Sequence, residues 1–311
     1  MKYFRKYIII AILIILGLSI FFYGLRQYLI QSAHDYEDPV DLTALYTADE
    51  EINTAKNKLI EIRNNKENPS EVIIGNDNPQ QIAIIFEGLP DRITTSEIVD
   101  VLKKHNVPAT FFVEGQDAGD FPETIKLLDG YTIGNTTYVG LAHLENLSEE
   151  EQLKQIVRAQ KILNKCFTTP VNYFHGITTK YSQQLLEVTK SANIPYAVKE
   201  NYRYSFNLMK ENKFDVNNYK LDVSQIHGIV SFPVGKIVDT ITYKPGDINE
   251  RPEMDKKPTL KLEEKKSNRL TAAEELDVFL TACKKANKQI IPIYEMKTIK
   301  FIPGNISEVV Q

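Results

Sequence analysis

Four side chains in the middle of this 311-residue chain could move a proton or hold an ion: Glu87, Glu114, His143 and His175. A carboxylate can act as a general base, and an imidazole as a base, an acid or a metal ligand. Zinc requires about three such groups in fixed geometry. The spacings of these four match no ligand pattern. Glu87 is a candidate base, and Glu114, His143 and His175 are candidates for an ion site. For His143 an ordinary loop histidine is the simpler reading. His105 closes a helix, where the dipole favours positive charge, while His227 precedes an apolar strand and His34 lies in a polar stretch. Cys166 and Cys283 are far apart, with no C-x-x-C spacing, which argues against a zinc ribbon or a thiol redox motif. A disulfide between them and two buried thiols both stay open.

The elements that must position these groups are short apolar runs alternating with amphipathic helices, the pattern of an α/β protein with a parallel sheet or barrel. Strands are expected at Ile82 to Phe86, Ala109 to Val113, Tyr131 to Gly134, Tyr196 to Val198, Gly228 to Phe232 and Ile290 to Tyr294. Helices are expected from about Thr95 to His105, after a capping box formed by Ser148 and Glu151, and from Thr271 to Asn287. Asn249 to Arg269 carries many charges and little apolar periodicity, and reads as a solvated excursion. Tyr196, Tyr202, Tyr204 and Phe206 form an aromatic cluster, suited to core packing or to stacking against a sugar ring.

The segment Ile82 to Gly115 resembles the opening of the polysaccharide deacetylase family, also called NodB-homology or carbohydrate esterase 4-like. That family has Thr-Phe-Asp-Asp-Gly-Pro at its first strand and Ala-Thr-Phe-Phe-Val at its second. Here the second is intact at Ala109 to Val113, but the first reads Ile85, Phe86, Glu87, Gly88, Leu89, Pro90. The family's Gly-Asn-His-Thr-Tyr-Ser-His corresponds to Gly134, Asn135, Thr136, Thr137, Tyr138, Val139 and Gly140. The resemblance implies a distorted (β/α) barrel of seven or fewer strands, with the site at the carboxyl ends of the strands. It also implies that Gly88, Thr136 and Gly140 stand where the family has its metal ligands, so all three positions have lost a carboxylate or imidazole. Its later Phe-Arg-Pro-Pro-Tyr-Gly, whose arginine orients the base, aligns with Phe174, His175, Gly176, Ile177, Thr178 and Thr179. Its Leu-x-His, which supplies the acid, falls near Phe232 and Pro233, and proline cannot transfer a proton. Removing an N-acetyl group calls for an activated water, an oxyanion stabiliser and an acid, the first two supplied by a zinc-like ion. A base without metal or acid leaves most of that barrier untouched.

Tyr7 to Leu25 carries no charge and, as a helix, is about as long as the bilayer core is thick. Lys2, Arg5 and Lys6 precede it, which places the amino terminus in the cytoplasm. A cleavable signal would have a shorter apolar core and a small-residue site. The expected organisation is therefore a cytoplasmic tail (1–6), one transmembrane anchor (7–25), a juxtamembrane helix and linker (26–73) and an extracytoplasmic deacetylase-like domain (74–311). All 41 acidic side chains follow the apolar run, and an acidic exported part does not attract nucleic acid. The expected protein is single-pass in the cell membrane, without a cofactor, and binds envelope glycan or an envelope protein without catalysis. The alternative is an active hydrolase that removes acyl groups from an amino-sugar polysaccharide of peptidoglycan or chitin type, through a rearranged site that would take a divalent, zinc-like metal. A third class is a structural envelope protein assembling through its juxtamembrane helix.

Overall fold

The computed structural model describes residues 45–211, 213–240 and 268–299. The expected tail, the anchor at 7–25, His34, the first part of the linker and nearly all of the charged excursion lie outside these residues. Among the described residues no helix is long and apolar enough to cross a membrane.

The chain from Tyr46 onward forms one compact unit. It opens with α1 (Asp49–Asn64), whose Ile52, Ala55, Leu59 and Ile62 recur at helical spacing and are buried. Three acids in its first turn and Arg63 in its last suit the helix dipole. This helix belongs to the compact unit. Its apolar stripe packs on two later helices, because four buried aliphatic side chains gain far more against a protein face than in water. Strand β1 (Glu71–Ile74) follows at once and straddles the boundary expected at residue 74.

The rest runs β2 (Gln81–Glu87), α2 (Arg92–His105), β3 (Thr110–Val113), α3 (Gly115–Asp120), α4 (Pro122–Ile125), β4 (Thr132–Asn135), β5 (Leu141–Ala142) and α5 (Glu149–Cys166). Then come β6 (Tyr173–Phe174), α6 (Gln183–Ser191), β7 (Tyr196–Val198), β8 (Tyr202–Arg203), β9 (Gly228–Pro233), β10 (Val238–Asp239), α7 (Ala272–Lys285), β11 (Gln289–Ile290) and β12 (Lys297–Ile299). The main sheet has ten strands, not seven or fewer, in the order β12-β1-β7-β6-β4-β3-β2-β9-β8, with β11 beside the start of β2. All its pairings are parallel except β1 with β12. The sheet is curled and open, a half-barrel and not a closed barrel: antiparallel β12 covers one edge and two-residue β8 ends the other.

Two apolar layers hold it. On one face α1, α5 and α6 pack over Val72, Phe174 and Ala197. On the other, Ile73, Ala83, Ile85, Phe112, Val198 and Ile229 meet Ile293 and Met296. Burial on both faces explains why β2 reads as an unbroken apolar run. Ser148 caps α5 by accepting from the Glu151 amide, and the full reciprocal box occurs at Thr271 and Glu274 of α7. Tyr204 and Phe206 pack with Phe232 and Phe279, while Tyr196 stacks on Tyr173. These aromatics of the cluster serve the core; Tyr202 is exposed. Cys166 and Cys283 are both free thiols.

Candidate functional site

Parallel strands bring their carboxyl ends to one edge, where α/β sheets place their sites. Glu87 ends β2, Glu114 follows β3, Thr136 follows β4, His175 follows β6, Arg203 ends β8 and Pro233 ends β9. Glu87 and Pro233 lie directly opposite one another in the β2–β9 register.

Glu87 is fully buried and has both oxygens engaged. Oε1 lies 3.2 Å from His175 Nε2, and Oε2 accepts from Arg203 Nε at 3.0 Å and Nη2 at 2.7 Å. His175 is fully buried, its Nδ1 is 2.9 Å from the Val198 carbonyl, and Glu200 Oε2 lies 3.9 Å away. Tyr181 donates to the same carbonyl at 2.8 Å and receives the Gly176 amide at 2.9 Å, fixing the loop that carries the histidine. Burial alone would raise the Glu87 carboxyl, but His175 and then Arg203 overcome it and hold the group at about 2. Burial works against charge on His175 as well, yet Glu87 and Glu200 raise it above its ordinary value. The trio is a carboxylate clasped by two cations.

The degenerate ligand positions are equally committed. Thr136 is buried and its hydroxyl donates to the His175 carbonyl at 2.9 Å. Asn135 anchors the same turn, donating to the Ile156 carbonyl and to Gln160 Oε1, each at 3.0 Å. Gly88 (φ 84°) and Gly140 (φ 71°) adopt left-handed backbone, where glycine is favoured. The space above both holds Glu114. Its Oε2 accepts the Leu89 amide at 2.8 Å, while Oε1 is buried without a hydrogen-bond partner. Burial first, and then Asp117, push this carboxyl up to about 8. Asp117 is itself raised to about 6 by burial and Asp120, with Lys236 opposing.

The turn after β9 closes the same space. Val234 and Gly235 amides both donate to the Glu87 carbonyl, at 3.0 and 2.8 Å. Pro233 begins this turn and offers no proton. His143 stands apart, its side chain 43% exposed and 3.7 Å from Glu145. Of the residues singled out from sequence, the fold thus joins Glu87 to His175, and sets Glu114 against Gly88 and Gly140. Arg203 and Glu200 escaped sequence reasoning. They sit on and beside a two-residue strand that carries no periodic signal.

Residues 74–197 match the sequence family described as polysaccharide deacetylase. This chain carries a polysaccharide deacetylase domain. A peptidoglycan-N-acetylglucosamine deacetylase of Bacillus cereus is 40% identical to the chain over 90 residues, 28% of this chain and 32% of that protein. A chitooligosaccharide deacetylase of Azorhizobium caulinodans is 32% identical over 120 residues, 38% of this chain and 57% of the relative. The chain thus spans less than two thirds of the length of either. Among solved structures, a mutant of a Bacillus anthracis pseudoenzyme of the carbohydrate esterase 4 family, with restored activity, matches at TM-score 0.50 and 14% identity. The match covers 78% of this chain and 83% of that one and shows a shared fold.

Deacetylases of this family are generally metal-dependent, and the described residues at the matched ligand positions do not fit an ion. Gly88 and Gly140 present no donor. The Thr136 hydroxyl is spent on a carbonyl. Glu114 already accepts the Leu89 amide with Oε2. Among the described residues, no three histidine, cysteine or acidic side chains converge on one point.

Proposed function

We propose that this polysaccharide deacetylase-family protein engages envelope glycan, or an envelope protein bound to it, without hydrolysing it. In this reading residues 7–25 anchor the chain in the cell membrane with the domain outside. The observation that carries the reading is the state of Glu87. General-base catalysis is most effective when the base titrates near working pH. A carboxyl held at about 2 with both oxygens engaged has little affinity for a proton from water. The relatives' names, peptidoglycan and chitooligosaccharide deacetylases, point to amino-sugar polymers as the ligand class.

The test uses the full-length chain in detergent, with co-sedimentation on purified peptidoglycan, titration with chitooligosaccharide, and acetate release assayed with and without added zinc or cobalt. Glycan binding without acetate is expected. Metal-stimulated acetate release would overturn the reading. The hydrolytic alternative predicts that Glu87→Gln abolishes acetate release. Assembly through the juxtamembrane helix is disfavoured, because the apolar stripe of α1 is already buried on α5 and α6.

A further inference from the structure

We propose that Glu114 occupies the space an ion would need, so that this domain excludes metal by a resident side chain as well as by lost donors. A β-carbon placed on Gly88 would lie 2.6 Å from Glu114 Oε1 and 2.5 Å from the Gly235 α-carbon. One placed on Gly140 would lie 3.0 Å from the same Oε1, 3.1 Å from Glu114 Cγ and 2.9 Å from the Lys236 carbonyl oxygen. One carboxyl oxygen thus touches both points from which ligand side chains would grow. Unbonded carbon atoms settle at about 3.5–4.0 Å, so any side chain at these positions must displace Glu114, the turn or both.

Neither yields readily. Glu114 is 2% exposed and tied to the Leu89 amide, and the turn is pinned by two amides on the Glu87 carbonyl. Gly88 is held in turn by its own amide on the Phe112 carbonyl at 2.9 Å. The carboxyl bridges the ends of β2 and β3 and the loop after β4, a join that makes this corner of the fold independent of a cation. Donor loss and Glu114 act together: restoring the donors while Glu114 remains leaves no room for their side chains to converge.

This inference concerns the same site as the non-hydrolytic reading but can fail separately from it. The experiment compares full-length chains carrying Gly88→Asp, Thr136→His and Gly140→His with and without Glu114→Ala. A second pair keeps Gly88, since an aspartate is strained at its positive φ. Cobalt(II) alone is titrated and read by visible absorption, with circular dichroism confirming the fold. No cobalt bound with Glu114 present, and cobalt bound in the alanine background by at least the chain that keeps Gly88, is the expected result. No cobalt bound by any alanine-background chain would overturn Glu114 as the excluding group and leave the turn at Gly235 and Lys236 in that role. Cobalt binding by either rebuilt chain with Glu114 in place would overturn the inference and leave the non-hydrolytic reading standing. As a measurement that needs no variant, a crystal structure of the native chain grown with zinc is expected to show the Glu114 carboxyl on the Leu89 amide, without an ion. Glu114 turned away with zinc in its place would overturn the proposal.

Discussion

Replacing Glu114 by glutamine should leave the protein unchanged at pH 5 and stabilise it progressively as the solution becomes alkaline. The carboxyl is raised from an ordinary 4.5 to about 8, so between those values the folded chain keeps a proton that the unfolded chain releases. Stability contributed by the neutral group is therefore complete below pH 4.5, declines as pH rises toward 8 and levels off above it. At about 1.4 kcal/mol per pH unit the ceiling is about 5 kcal/mol, of which about 4 kcal/mol develops between pH 5 and pH 9. Glutamine has nearly the same shape, keeps an oxygen for the Leu89 amide and cannot ionise. With about 2–4 °C per kcal/mol for a domain of this size, the melting temperature of the variant should exceed that of the native chain by about 10 °C at pH 9 and by almost nothing at pH 5. Asp117 and His175 also lose their contribution as pH rises, but both remain in the two proteins and cancel. Thermal melts of full-length chains in detergent across this range decide the matter. Parallel curves would refute a buried neutral Glu114.

Glu87→Gln should cost about 3–5 kcal/mol in urea unfolding at neutral pH, because His175 and Arg203 lose the carboxylate that compensates them. In the native chain the depressed Glu87 carboxyl contributes stability that is present above 4.5 and lost as pH falls toward 2, so Glu87→Gln should flatten the acid limb of an unfolding profile; an unchanged limb would refute the assignment. Leu59→Ala should cost about 2–5 kcal/mol, as expected for a buried leucine, and a cost near zero in denaturant titration would show that α1 does not belong to the core. Arg63→Ala should cost less than about 1 kcal/mol despite its contacts to Glu149 and Glu187, since the guanidinium side chain is 40% exposed.

The parallel core of the fold was legible because β2, β3, β4, β7 and β9 are apolar runs bounded by turns, and because Ala109 to Val113 keeps the family wording intact. What escaped has a physical reason in each case. Strand β1 was hidden in what reads as the end of a linker, since four residues show too little alternation to separate strand from coil. A helix was expected within 26–73, but its sequence does not say which face of the domain covers it. The distorted barrel was expected with seven or fewer strands and the sheet has ten, because edge pairing depends on short β8 and β12, which have no periodicity. In the site, the emptied ligand positions could be read by comparison with the family pattern. The use of Glu114 could not, because a carboxylate after a strand looks the same whether it reaches for an ion or takes the ion's room. Arg203 lies 116 residues from Glu87, and only the β2–β9–β8 strand order brings the two together.

The close fit between Glu114 and the two bare glycines also constrains which substitutions this domain can accept. A side chain added at position 88 or 140 meets Glu114 Oε1 at 2.6 or 3.0 Å and the turn at Gly235 or Lys236 at 2.5 or 2.9 Å, so it is tolerated only where position 114 and the turn both give way. Trimming position 114 first leaves only a cavity. Substitutions that would add donors at 88 and 140 are thus ordered behind changes at position 114 and in the turn, a ratchet set by packing alone.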